Sequence, residues 1–201
     1  MSGGNTSLVD GRTNNTAIVD ASGRLATRAV AFTSTLEASI KGEHYEILPV
    51  TFPVLTNDVE TAVLYLRNSE PAVTTWAVNF FTLTAGASAG GTGAMSFRTV
   101  FNPSAGTLLT GGTAANIVQL NLGISRDLAT TANTGGTGDT LTGEAASFNR
   151  LIPGVPAGLS FPLDAIIMPA GSSIGIMVTP PAGNTSMSID ISVSVIRLTE
   201  V

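Results

Sequence analysis

The chain has 201 residues, with 22 Gly, 10 Pro, no Cys, 11% charged residues and a net charge of −5. This length allows one domain, or at most two, around a sizeable core, and 43% hydrophobic content excludes global disorder. The acidic balance, with a single lysine (Lys41) and scattered arginines, argues against a nucleic-acid partner. No apolar run approaches the roughly 18–20 residues of a helical membrane span, so no membrane partner is expected. Zero cysteine removes disulfides and thiolate chemistry.

The polar, Asn/Gly-rich opening (MSGGNTSLVDGRTNN) does not read as a secretory signal. Up to about Ser22 it reads as an extended arm, whose short apolar pairs Leu8-Val9 and Ile18-Val19 are too sparse to build a core. Arg24–Thr33 alternates with a period of two, as a strand does. Thr35–Lys41 is the one stretch that reads as a helical turn. Thr61–Arg67 is apolar on both faces, as in a buried strand. Thr74–Thr84 alternates Trp76, Val78 and Phe80 against Thr75, Ala77 and Asn79. Ser96–Phe101, Ile117–Leu122 and Ser173–Thr179 add three more strands.

The last strand has the strictest pattern. Met187, Ile189, Ile191, Val193 and Val195 alternate with Ser186, Ser188, Asp190, Ser192 and Ser194. The pattern then inverts: Ile196 and Leu198 are apolar and Arg197 interrupts the apolar face. Either a bulge near Val195 or a second contact surface accounts for the inversion. Between the strands, Thr84–Ala94, Asn102–Ala115 and Ala129–Ser147 read as Gly/Ala/Thr loops. The last is longer than the roughly 12–15 residues usual for loops without function or disorder.

Seven to nine strands with almost no helix predict an all-β chain: a single antiparallel β-sandwich, expected to be a jelly roll, with an extended N-terminal arm. The expected division is arm 1–22 and sandwich domain 23–201.

Signals for chemistry are weak. His44, flanked by Glu43 and Glu46, is the best candidate base, but there is no second histidine, no cysteine and no G-x-S-x-G elbow. His44 is therefore expected in a surface turn leading into a strand. Gly135–Leu141 (GGTGDTL) approximates a calcium-binding β-helix repeat. It is one residue short and occurs once, so a flexible loop is the better reading. Asp139 and Glu144 could supply two carboxylates, too few for a firm cation site. No phosphate loop or dinucleotide fingerprint is present. Trp76, Phe80, Phe97 and Phe101 are expected in the core, with a sugar-stacking platform as the competing possibility. Catalytic, cofactor-binding and metal residues are thus expected to be none, and the chain is expected not to be an enzyme.

Three stretches resemble small virion proteins of tailed bacteriophages. They are Val19–Glu46 (VDASGRLATRAVAFTSTLEASIKGEHYE), Phe101–Leu109 (FNPSAGTLL) with Gly138–Gly143 (GDTLTG), and Pro169–Met187 (PAGSSIGIMVTPPAGNTSM) running into the closing strand. The resemblance implies a structural virion protein, in the first place a capsid decoration or cement protein assembled in the host cytoplasm. It further implies the major capsid protein as partner and a homo-oligomer, with a trimer favoured. A tail or head-fibre component and a carbohydrate-binding β-sandwich are the alternatives.

Overall fold

The protein is described from a computed structural model that covers residues 6–9, 16–19, 25–26, 34–124, 126–152 and 158–199. It divides into two compact units, Met1–Thr33 and Ser34–Val201. Within the first unit, β1 (Thr6–Val9), β2 (Thr16–Val19) and β3 (Leu25–Ala26) form an antiparallel sheet in the order β1-β2-β3. The apolar pairs of the expected arm thus lie on paired strands, with Leu8 opposite Ala17 and Ile18 opposite Ala26. The remainder of the strand expected over Arg24–Thr33 lies outside the described residues.

The second unit begins with helix α1 (Ser34–Lys41), over the stretch Thr35–Lys41 that reads as a helical turn, with a Glu37–Lys41 pair one turn apart on its surface. Then follow β4 (His44–Leu48), β5 (Val54–Leu55), β6 (Thr61–Asn68), β7 (Thr74–Ala85), β8 (Met95–Phe101), a 3₁₀ turn at Thr107–Leu109, β9 (Thr113–Ala114) and β10 (Asn116–Gln119). The chain closes with β11 (Thr130–Thr134), β12 (Ala146–Ile152), β13 (Gly158–Met168), β14 (Ser173–Thr179) and β15 (Met187–Thr199).

Two antiparallel sheets face each other. The first has the order β10-β4-β15-β7-β13, with β5 joined to the start of β15; the second is β12-β8-β14-β6-β11-β9. Consider the eight strands β4, β6, β7, β8, β12, β13, β14 and β15. The first pairs with the eighth, the second with the seventh, the third with the sixth and the fourth with the fifth. That nesting is a long hairpin rolled up on itself, which is the jelly roll. The additional strands β9, β10 and β11 all come from the stretch between β8 and β12, and they extend each sheet on the side of β4 and β6.

The core lies between the sheets. Trp76, Val78 and Leu83 from β7, Ile189, Ile191, Val193 and Val195 from β15, and Val63, Leu66, Phe97 and Ile176 from the opposite sheet are all buried in one cluster. At about 1.5–3 kcal/mol for each large apolar side chain buried, this cluster is the main source of stability. Trp76 has no exposed surface and Phe97 is 1% exposed, so these two aromatics are core residues and form no sugar platform.

Of the two anticipated causes of the inversion at the end of β15, the second contact surface accounts for it. The register with β7 does shift between Ser194 and Val195, but the extra residue is Asn79 of β7, while β15 pairs with β4 residue for residue through Ile196, so the alternation of β15 is unbroken. Ile196 packs on the outer face against Ala38 of α1 and Ala77 of β7. The loop expected over Ala129–Ser147 is corrected: it contains β11 and leads directly into β12. β12 and β13 are not anticipated as strands, and the strand expected after His44 begins at His44 itself as β4.

Candidate functional site

His44 is not in an exposed turn. It opens β4, is 6% exposed and sits beside Ile196 in the ladder with β15. Its Nδ1 lies 2.8 Å from Ser39 Oγ on α1, and its Nε2 lies 2.7 Å from Ser194 Oγ on β15. Ser39 donates its own proton to the Thr35 carbonyl at 2.9 Å. Nδ1–H therefore donates to Ser39. Burial lowers the pKa of the imidazole and so favours the neutral ring, in which Nε2 accepts from the Ser194 hydroxyl.

A serine hydroxyl on a neutral imidazole is the hydrogen-bonded core of a nucleophile–base pair. Here Ser194 lies within a strand at 8% exposure, tied through His44 to α1. The geometry serves to fasten α1 to the sheet. Glu46, two residues on and on the same face, has its pKa raised by burial, partly offset by a hydrogen bond with Ser192.

Glu43 points to another cluster. Its carboxylate pairs with Arg126 and with Arg197 Nε, the latter at 2.5 Å, while Arg197 also reaches Glu70 at 3.3 Å and the Asp127 carbonyl at 3.2 Å. Glu70 accepts from the Ala129 amide at 2.9 Å. The Arg197 guanidinium stands 5.8 Å from the Tyr45 ring centroid, within reach of a cation–π contact. Burial raises the pKa of the Tyr45 phenol, which donates to the Gly42 carbonyl. Arg197, which breaks the apolar pattern in sequence, thus joins the end of β15, the start of β4, the turn after β6 and the excursion that carries Arg126. A cleft of 360 Å³ beside it is lined by Tyr45, Ile117, Gln119, Arg126, Asp127 and Leu128.

The glycine-rich segments form the third region. Leu108 and Leu141 have no exposed surface and pack on Ala62, Tyr65, Val100 and Met177, on the outer face of the second sheet. A Cβ on Gly175 would lie 2.2 Å from Leu141 Cδ1, so glycine is what admits that leucine to the sheet. A Cβ on Gly106 would lie 2.2 Å from the Thr140 carbonyl oxygen, where the two segments cross. Asp139 accepts from the Gly136 amide at 2.9 Å and from Thr107 Oγ1 at 3.0 Å, so both its oxygens organise the turn. Glu144 pairs with Arg98, which also grips Glu60 through two bonds of 2.9 and 2.8 Å. The two carboxylates weighed as cation ligands are engaged separately, and no group of three or more such ligands occurs among the described residues. The segment expected to be flexible is docked on the sheet.

The exposed apolar residues form a further pattern, invisible without the fold. Val50, Phe52, Val54 and Val59 project from the crossover between β4 and β6, with Val50 and Phe52 each 62% exposed. Ile40 on α1 and Leu120 and Leu122 after β10 are also exposed, and Asn121 Nδ2 donates to the Ile40 carbonyl, which places these two elements side by side.

No family model and no curated protein matches the chain. Among solved structures it is similar to chains from virus particles. The infectious bursal disease virus Gx strain gives a TM-score of 0.28 at 12% identity, over 96% of this chain and 37% of that one. The VP2 subviral particle of infectious bursal disease virus gives 0.27 at 13% identity, over 98% and 38%. Desmodium yellow mottle tymovirus gives 0.19 at 9% identity, over 75% and 89%. The chain spans well under half the length of the first two. At these TM-scores the assignment of the jelly roll rests on strand order alone.

Proposed function

We propose that this chain is a structural virion protein: a capsid decoration, or cement, protein that binds the major capsid protein on the outer surface of a phage head and stabilises it. In this reading it is a homo-oligomer, with the trimer favoured, and performs no catalysis. The observation that carries the reading is a sandwich whose long loops are pinned to its sheets while apolar side chains stand on its surface. Leu108, Leu141, Asp139 and Arg98 hold the loops; Val50, Phe52, Val54 and Val59 offer uncharged contact area. A body rigid before docking loses less conformational entropy on binding than one that must order its loops. The resemblance of Val19–Glu46, Phe101–Leu109 and Pro169–Met187 to phage virion proteins supports the same conclusion.

The N-terminal residues 2–22 belong to the proposal as a tether to a neighbouring molecule. Purified protein added to heads that lack it should co-sediment with them and raise the temperature at which they release DNA. A chain lacking residues 2–18 should keep the melting behaviour of its sandwich but occupy heads much more weakly. Failure of the full-length protein to bind heads would overturn the reading, and equal occupancy by the truncated chain would remove the tether from it. Phe52→Ser should weaken binding without loss of fold, because that side chain is already in water.

A further inference from the structure

The four outermost strands of the two sheets are not equivalent. β10 has four residues and β9 has two. β13 is eleven residues long but carries Pro162, and its register with β7 shifts between Pro162 and Ile166. Short length, proline and irregular register are the devices by which sheet edges avoid pairing with other chains. β12 has none of them. Its seven residues, Ala146–Ile152, pair with β8 residue for residue without a shift. Among the described residues β8 is its only strand neighbour. Every second residue of such a strand turns its N–H and C=O away from the sheet, a row that another strand can satisfy.

We infer that β12 is a self-association edge, and that its occupant is β12 of a second copy of this chain, antiparallel across a two-fold axis. Identical strands close such a contact in one step, because each edge satisfies the other. The register that pairs all seven residues centres on Asn149. It sets Ala146 against the partner's Ile152, Ser147 against the partner's Leu151 and Phe148 against the partner's Arg150. The single charge of the strand therefore never faces its own copy. Leu151, 71% exposed, gains cover from the partner's Ser147 in place of water. The opposite side of the sandwich has no equivalent opportunity, because β10 and β11 already extend both sheets there. This contact is separate from any three-fold association and rests on strand order, not on the virion reading.

The chain has no cysteine, which makes the test clean. In the full-length protein, Asn149→Cys places two thiols across the axis at the separation of directly opposed residues, about 4.5–5.5 Å between Cα atoms, which a disulfide spans. Mild oxidation should give disulfide-linked dimers of Asn149→Cys faster than of Asn116→Cys, on the edge strand β10. Asn149→Asp and Asn149→Lys set like charges face to face and should each weaken self-association about five-fold, as read by light scattering across a concentration series. Mixing the two variants should restore it. Equal cross-linking at positions 149 and 116, or unchanged association in both charge variants with no recovery on mixing, would overturn the inference.

Discussion

The two outer faces of the sandwich are covered by opposite means. On the second sheet, two glycine-rich segments, with no more regular structure than the single 3₁₀ turn at Thr107–Leu109, place Leu108 and Leu141 into an apolar surface, and Arg98 pins the second segment through Glu144. On the first sheet a regular helix is held chiefly by polar groups, Ser39–His44–Ser194, with Ala38 against Ile196 and Ala77. Local regularity and tightness of attachment are thus separate properties. A run of Gly and Thr can be the better-sealed cover, because glycine lets a leucine approach the backbone of the sheet.

The core shared by both faces sets the largest expected effect. Ile191→Asp puts an unpaired charge where 1% of the residue is exposed, and it should abolish soluble folding; a soluble, cooperatively melting variant would show that this face is not core. The next effect separates the faces. Leu141→Ala should cost about 2–5 kcal/mol in urea denaturation, by lost burial and an unfilled site beside Gly175. His44→Ala should cost less, about 1–3 kcal/mol, through the unmet hydrogen bonds of Ser39 and Ser194. If the histidine variant proved the weaker of the two, the ranking of the faces would be reversed.

A pH titration sharpens the same contrast. Burial lowers the His44 pKa below its ordinary value near 6.5, so below that pH the unfolded chain takes up a proton that the folded chain resists. The contribution of the neutral ring is fully present above about pH 6.5 and is lost as the pH falls toward the folded-state pKa. Glu46 acts in the opposite sense at lower pH. Its raised pKa means that the folded state binds the proton more readily, so stability gains from acid in the window above its ordinary value near 4.5. Thermal melts from pH 7.5 to 5.5 should show a decline in the wild type that is absent in His44→Gln, and parallel curves would contradict the assignment. The smallest effect belongs to the helix surface: Ile40→Ser, at a side chain already half in water, should change stability by about 0.5 kcal/mol or less.

Much of this architecture is legible in the sequence where one rule dominates. The alternation of β15, the doubly apolar β6 and the inversion at Ile196 each follow from side-chain period. The strands that escaped are those in which a second constraint masks the period. β13 carries Pro162 and Asp164, which argue against a central strand and are tolerated at an edge. At β4 the strand is legible but its start is not: His44 reads as the surface turn before it until Ser39 of α1 covers the ring. β12 emerges from a Gly/Thr stretch whose isolated Leu141 gives no hint of its docking site on β6, β8 and β14. Arg197 reads as an interruption because its partners Glu43, Glu70 and the Asp127 carbonyl are distant in sequence.

The most direct test of the structural role is the position and copy number of this chain in a map of the virion that contains it. The account predicts density for a jelly roll at repeated sites over the outer surface of the head, in numbers that scale with the major capsid protein. Density confined to a tail or fibre, at a handful of copies, would contradict it.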